Sequence, residues 1–180
     1  MSSSVQRMSL AFVILLFGVA NAEDFKREGT GEKRVKKDEI EGKTPPALQV
    51  DNWQNTDGKA LSLTDLKGKV VVLDFWGVWC PPCRRAMPHL KELYERHKND
   101  GLVVIGVHTS SQREKMADFV KQENLTWPIA ADIDGETVKA FRVDSFPDYY
   151  LVDRAGKLRV ADLQNGDLDR AVKILLGEKP

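Results

Sequence analysis

Cys80 and Cys83 are the only cysteines in this 180-residue chain, and two prolines separate them. A Cys-Pro-Pro-Cys spacing closes too short a loop to stabilise a fold through chain entropy, so a structural staple explains it poorly. Three other chemistries use such a pair: thiol–disulfide exchange, half of a zinc site, and covalent haem attachment. Haem attachment needs His directly after the second cysteine, and Arg84 stands there. Zinc needs further ligands in a compact set, and His89, His97 and His108 have no paired spacing. Redox chemistry is the expectation, with an inert disulfide and a metal site as the alternatives.

The elements around the pair say how it is held. Val70-Val71-Val72-Leu73-Asp74-Phe75-Trp76 is an apolar run with one acid, the pattern of a strand covered on both faces. Beyond the cysteines, Met87, Leu90, Leu93 and Tyr94 recur at helical spacing until Asn99-Asp100-Gly101, a stop signal, and Pro88 predicts a kink. A strand-to-helix passage at Cys80 puts its sulfur at a helix amino terminus, where unpaired N–H groups and the dipole stabilise a thiolate. Thiols so placed fall from about 8.5 into a range of roughly 3.5–7.5. Cys83, one turn in, is the resolving partner.

The remaining elements alternate. Leu48, Val50, Asp57-Gly58 and Leu61-Ser62-Leu63 read as a short amino-terminal hairpin. Strands are expected at Leu102–Val107, Trp127–Ala131 and Asp148–Val152, with an antiparallel edge strand at Lys157–Leu163 after the turn Asp153–Gly156. Helices are expected at Arg113–Glu123, Glu136–Phe141 and Leu168–Leu176. This order predicts an α/β fold whose mixed central sheet has helices on both faces.

The first 22 residues have the form of an export signal: Arg7, the apolar run Leu10–Ala20, then Ala20-Asn21-Ala22. The run is shorter than the roughly 20 residues a span needs, so cleavage is expected and a permanent anchor is the weaker reading. The absence of a cysteine near Ala22 argues against a lipoprotein. Residues 23–44 are dense in charge and read as a flexible linker, including the basic cluster Lys33-Arg34-Val35-Lys36-Lys37. Pro45-Pro46 marks the start of a domain covering 45–180. Lys plus Arg and Asp plus Glu both total 27, so no global field draws the chain to nucleic acid. Export would place it where disulfides form readily.

Asp74-Phe75-Trp76-Gly77-Val78-Trp79-Cys80-Pro81-Pro82-Cys83, followed by Pro88, resembles the active-site segment of the thioredoxin superfamily, specifically the TlpA/ResA-like exported members. The resemblance runs from Pro45 to the carboxyl terminus, with the family's middle insertion at Ser111–Ala140. It implies a thioredoxin-like three-layer sandwich in which Cys80 attacks, Cys83 resolves, Trp79 flanks the pair and Asp74 is a buried acid beneath it. An acid in an apolar strand is costly to ionise, so its pKa should rise until it can exchange protons with Cys83 through water. An exposed edge position is the alternative for Asp74. Phe146-Pro147 falls where the family has a cis-proline that approaches the cysteines and offers backbone to an incoming peptide. Pro128 competes, and reads as a strand-entry proline. Phe146 is bulkier than the residue common there, and with Tyr149-Tyr150 either narrows the groove or serves as core and rim. His108 should lie at the same sheet edge as Cys80 as a hydrogen-bonding residue outside the catalytic set.

The activity so implied is thiol–disulfide exchange with protein thiols and disulfides. The resemblance favours the reducing direction, which needs a membrane thiol donor for recharging and no metal or organic cofactor. The balanced charge points to no nucleic-acid partner, and the oligomeric state is not read from the sequence, a monomer being favoured because no coiled coil or large sheet edge is seen. A peroxiredoxin-type peroxidase would lack its usual Thr-x-x-Cys setting here. A copper-delivery protein would lack its wider cysteine spacing and partnered histidine.

Overall fold

A computed structural model of the chain describes residues 25–178; the export signal expected in 1–22 lies outside the described residues. No helix among the described residues is long and apolar enough to cross a membrane. The apolar run at 70–76 forms β2 (Val70–Trp76), buried at every position because it is internal to the sheet. It pairs in parallel with β3 (Leu102–His108), from Val70 opposite Leu102 to Trp76 opposite His108. On its other side it pairs antiparallel with β5 (Asp148–Val152), Phe75 facing Asp148. With β1 (Val50–Gln54), β4 (Ile129–Asp132) and β6 (Leu158–Leu163) added, the order is β1-β4-β3-β2-β5-β6.

Alternation along β2 divides the core in two. Val70, Val72 and Trp76 pack with Met87, Leu90 and Leu93 of α2 (Pro81–His97), Met116 and Val120 of α3 (Met116–Gln122), and Val172 and Leu175 of α5 (Leu168–Gly177). Val71, Leu73 and Phe75 face the other way, onto Phe141, Tyr150 and the side of α4 (Glu136–Ala140). The expected three-layer mixed sandwich is therefore formed. Helix α2 continues through Pro88.

Two expectations are corrected. The amino-terminal hairpin supplies only one strand: β1 pairs antiparallel with β4, and 61–63 forms no strand. Asn52, Asn55 and Asp57 take positive φ, and the Asn55 amide donates to the Leu125 and Trp127 carbonyls. The chain is thereby pinned to the sheet's own edge before it can fold back on itself.

Nor is 23–44 a loose linker over its described part. Gln164 N–H donates to the Lys26 carbonyl and Glu28 N–H to the Asp162 carbonyl, while Gly42 and Lys43 exchange bonds with Leu158. The segment thus covers the outer edge of β6, whose unpaired backbone groups would otherwise be open. Between those contacts lies α1 (Gly31–Asp38), too short to hold itself in water. It is fixed by tertiary contacts instead: Arg34 donates to the Ala161 carbonyl, Phe25 is buried under the Arg159 guanidinium, and Lys37 is buried.

Candidate active site

Cys80 is the N-cap of α2, with extended backbone, and Pro81 and Pro82 occupy the next two positions. Those positions have no intrahelical acceptor to bond, so proline costs nothing there. The first available donor is then the Cys83 N–H, which points to Cys80 Sγ at 3.2 Å. The two sulfurs are joined in a disulfide, and both residues are 2% exposed. The sequence thus gives the Cys80 sulfur one backbone dipole and a helix terminus.

Asp74 shares the β2 face of Val72 and Trp76, the face against which both cysteines pack. It is buried, and its Oδ1 has no hydrogen-bond partner. Burial pushes its pKa up to about 7. Its register neighbours offer no relief: Gly106 on one side and Tyr149 on the other. Gly106 has no side chain because an added Cβ would lie 3.0 Å from both Ile129 Cγ1 and Trp76 Nε1. The exposed alternative for Asp74 does not hold.

The Phe146–Pro147 peptide is cis, and Pro128 remains a strand-entry residue immediately before β4. Because Asp148 sits opposite Phe75, the cis bond lies beside the end of β2, where the chain departs for Cys80. The Phe146 ring meets Trp79 edge-on with centroids 5.6 Å apart, and Trp79 is 41% exposed. Gly77 makes this possible: a Cβ there would stand 2.8 Å from Trp79 Nε1. Tyr149 and Tyr150 are both buried, so they are core and do not narrow the groove. On the other flank, a cavity of about 330 Å³ is lined by Pro81, Arg84, Arg85, Phe119 and Glu123, and the Arg84 guanidinium lies 5.3 Å from the Phe119 ring centre.

His108 has a larger part than its sequence position suggested. Val78 N–H donates to its Nε2 at 3.0 Å, and its Nδ1 lies 2.6 Å from the Thr109 carbonyl. The proton must therefore sit on Nδ1, and the neutral ring holds the 77–79 segment that delivers Cys80. Burial lowers its pKa, outweighing the Thr109 carbonyl. A histidine with a depressed pKa stabilises the fold above the unfolded value near 6.5, and that contribution is lost as pH falls through the folded pKa. Replacing His108 with Ala should leave the Val78 N–H unsatisfied, at a cost of about 1–3 kcal/mol. Urea denaturation should show a smaller penalty at pH 5 than at pH 8; an equal penalty would refute the neutral clamp.

Comparison with known proteins agrees with this geometry. The AhpC/TSA family model matches residues 42–161. The chain is 36% identical over 146 residues to the thiol-disulfide oxidoreductase ResA of Bacillus cereus, covering 81% of this chain and 82% of that one. Among solved structures, it is similar to a putative thiol:disulfide interchange protein DsbE from Chlorobium tepidum, with TM-score 0.66 and 26% identity over 76% of this chain and 97% of the other. A thiol-disulfide isomerase from Corynebacterium glutamicum gives TM-score 0.65 and 27% identity, over 74% and 97%.

Proposed function

The chain belongs to the AhpC/TSA family and is a thioredoxin-like thiol-disulfide oxidoreductase, and we propose that it works as a reductant of protein disulfides outside the cytoplasm. The observation that carries this reading is the Cys80 sulfur, capped by Cys83 N–H at the start of α2, on the same sheet face as the buried acid Asp74. In the reduced enzyme the Cys80 thiolate attacks one sulfur of a substrate disulfide. The substrate's other sulfur leaves as a thiolate and takes a proton, and a mixed disulfide forms. Asp74 accepts the Cys83 proton through water, and the Cys83 thiolate attacks Cys80 Sγ. The second substrate sulfur departs and the Cys80–Cys83 disulfide closes, so two electrons have passed to the substrate. A dithiol donor, for which we propose a membrane protein, returns them. Trp79, Phe146 and the Pro147 backbone form the surface on which the substrate chain lies.

The reducing direction has a physical basis beyond the resemblance. Potential follows how strongly the reduced thiolate is stabilised. The Arg84 guanidinium, the nearest cation in sequence to the pair, stacks on Phe119. An ionised Asp74 on the same face disfavours a second negative charge on sulfur. Localisation rests on the signal-like residues 1–22.

Equilibration with glutathione should give a Cys80–Cys83 potential at or below about −200 mV. A value near −120 mV, that of a strong oxidant, would reverse the direction proposed.

A further inference from the structure

Lys37 of α1 is 1% exposed, and its ammonium is surrounded by carboxylates. Nζ lies 2.6 Å from Asp144 Oδ1, 2.5 Å from Asp162 Oδ2 and 3.4 Å from Asp148 Oδ2. Asp144 and Asp148 bracket Phe146 and Pro147, and Asp162 belongs to β6. One cation therefore joins the amino-terminal helix, both ends of the cis-proline loop, and the outer strand.

The carboxylates are arranged around the ammonium, one oxygen of each facing Nζ. Burial works against the Lys37 charge, but the hydrogen bond to Asp144 and the charges of Asp148 and Asp162 outweigh it and hold its pKa above the ordinary value. Without Nζ, three carboxylates with oxygens within 4.8 Å of one another would face each other, with Lys33 on Asp144 and the Tyr150 hydroxyl on Asp148 as partial relief. Burial, then the charge of Asp162, already push the Asp148 carboxyl above its ordinary value. An apolar replacement would leave that repulsion uncompensated.

We propose that Lys37 is a positioning residue for substrate binding: by gripping both ends of the 144–148 loop it fixes Phe146 against Trp79 and sets the Pro147 backbone beside the cysteines. The groove for a protein disulfide is then completed by the amino-terminal segment as well as by the domain that carries the cysteines. This rests on the reading of Cys80 and Cys83 as a pair that exchanges with protein disulfides. A loop displaced by about 1 Å can cost on the order of a hundredfold in rate, and the loss should fall on substrates that lie along the loop.

The experiment compares full-length wild type, Lys37→Met and Asp144→Asn, each fully reduced, on insulin and on a small aromatic disulfide of nitrothiobenzoate. Asp144 is 30% exposed, so its replacement by Asn takes the charge out of the loop's ion pair with Lys37 without emptying a buried position, and it decides the question if Lys37→Met does not fold. Both variants should lose roughly ten- to a hundredfold in kcat/KM on insulin, mainly through KM. The ratio of insulin to small-disulfide rates should fall by about tenfold, the scale of a modest loop displacement. Variants that match wild type on insulin, or that lose both substrates by one common factor, overturn the proposal. A wild type inactive on both substrates overturns the oxidoreductase reading, and this proposal with it.

Discussion

Replacing Cys83 with Ala should convert the enzyme into a trap: incubation with a protein disulfide accumulates a covalent adduct through Cys80, and turnover falls by on the order of a thousandfold or more, the scale of losing half of a unit that acts together. The reason is geometric. Cys83 is one turn inside α2, and its sulfur already bonds to Cys80 Sγ in the oxidised chain, so it is the group placed to resolve a mixed disulfide. With Ala there, the first attack proceeds and the second has no nucleophile. Cys80→Ala should instead give neither adduct nor turnover, because Cys80 is the sulfur at the start of α2 toward which the Cys83 N–H donates. Non-reducing electrophoresis followed by mass measurement reads both. Adduct formation by the Cys80→Ala variant, or none by the Cys83→Ala variant with any protein disulfide, would contradict the assigned order of attack.

Asp74→Asn should stabilise the protein at pH 8 while slowing it. Burial raises the Asp74 pKa from 3.8 to about 7, so the unfolded chain releases this proton at lower pH than the folded one. The sign follows: below about pH 4 the group is protonated in both states and costs nothing through ionisation. Between about pH 4 and 7 stability falls as pH rises, and above 7 the deficit is constant at about 4 kcal/mol. His108 acts in the opposite sense below about pH 6.5, so the two partly cancel in mildly acidic solution. Asn removes the Asp74 deficit but leaves its own amide short of partners, since Oδ1 of Asp74 has none. A gain of about 2 kcal/mol is therefore expected at pH 8, turning into a loss of about 2 kcal/mol at pH 4, where no ionic deficit is left to remove. Loss of a positioned acid–base group typically costs 10²–10⁴-fold, so resolution of the mixed disulfide should slow by about a hundredfold. The wild-type inflection near pH 7 in that step should vanish. Denaturation at the two pH values and stopped-flow release of substrate thiol test this, and an equal stability change at both pH values would refute the buried-charge account.

Most of the residues that carry the proposed chemistry were legible because each advertises itself over a short span. Cys80 and Cys83 are a local motif and Asp74 is one acid in an apolar strand, whereas Phe146-Pro147 was placed by the family resemblance, since Pro128 also precedes a buried strand. What could not be read is how distant segments meet. His108 looked like an ordinary strand-ending residue, and its grip on Val78 crosses a parallel β2–β3 pairing 30 residues apart. The hairpin failed for the same reason: Asp57-Gly58 is a sound turn signal, but the edge of β4 competed for β1 and won.

Lys37 marks the boundary most clearly. In sequence it is the last residue of a basic cluster with acids on both sides, a pattern that by itself describes a solvated segment. Its partners stand 107 to 125 positions away, and no local pattern encodes that distance. The sequence alone determined the redox pair, the strand and helix that seat it, and the alternation that builds a mixed sheet, because apolar periodicity, proline and cysteine spacing act over a few residues. Only the tertiary structure decided the clamp at His108 and the burial of Lys37, and it chose the buried reading of Asp74 over the exposed one. Burial and carboxylate proximity are properties of packed surfaces, which exist only once the chain has closed on itself.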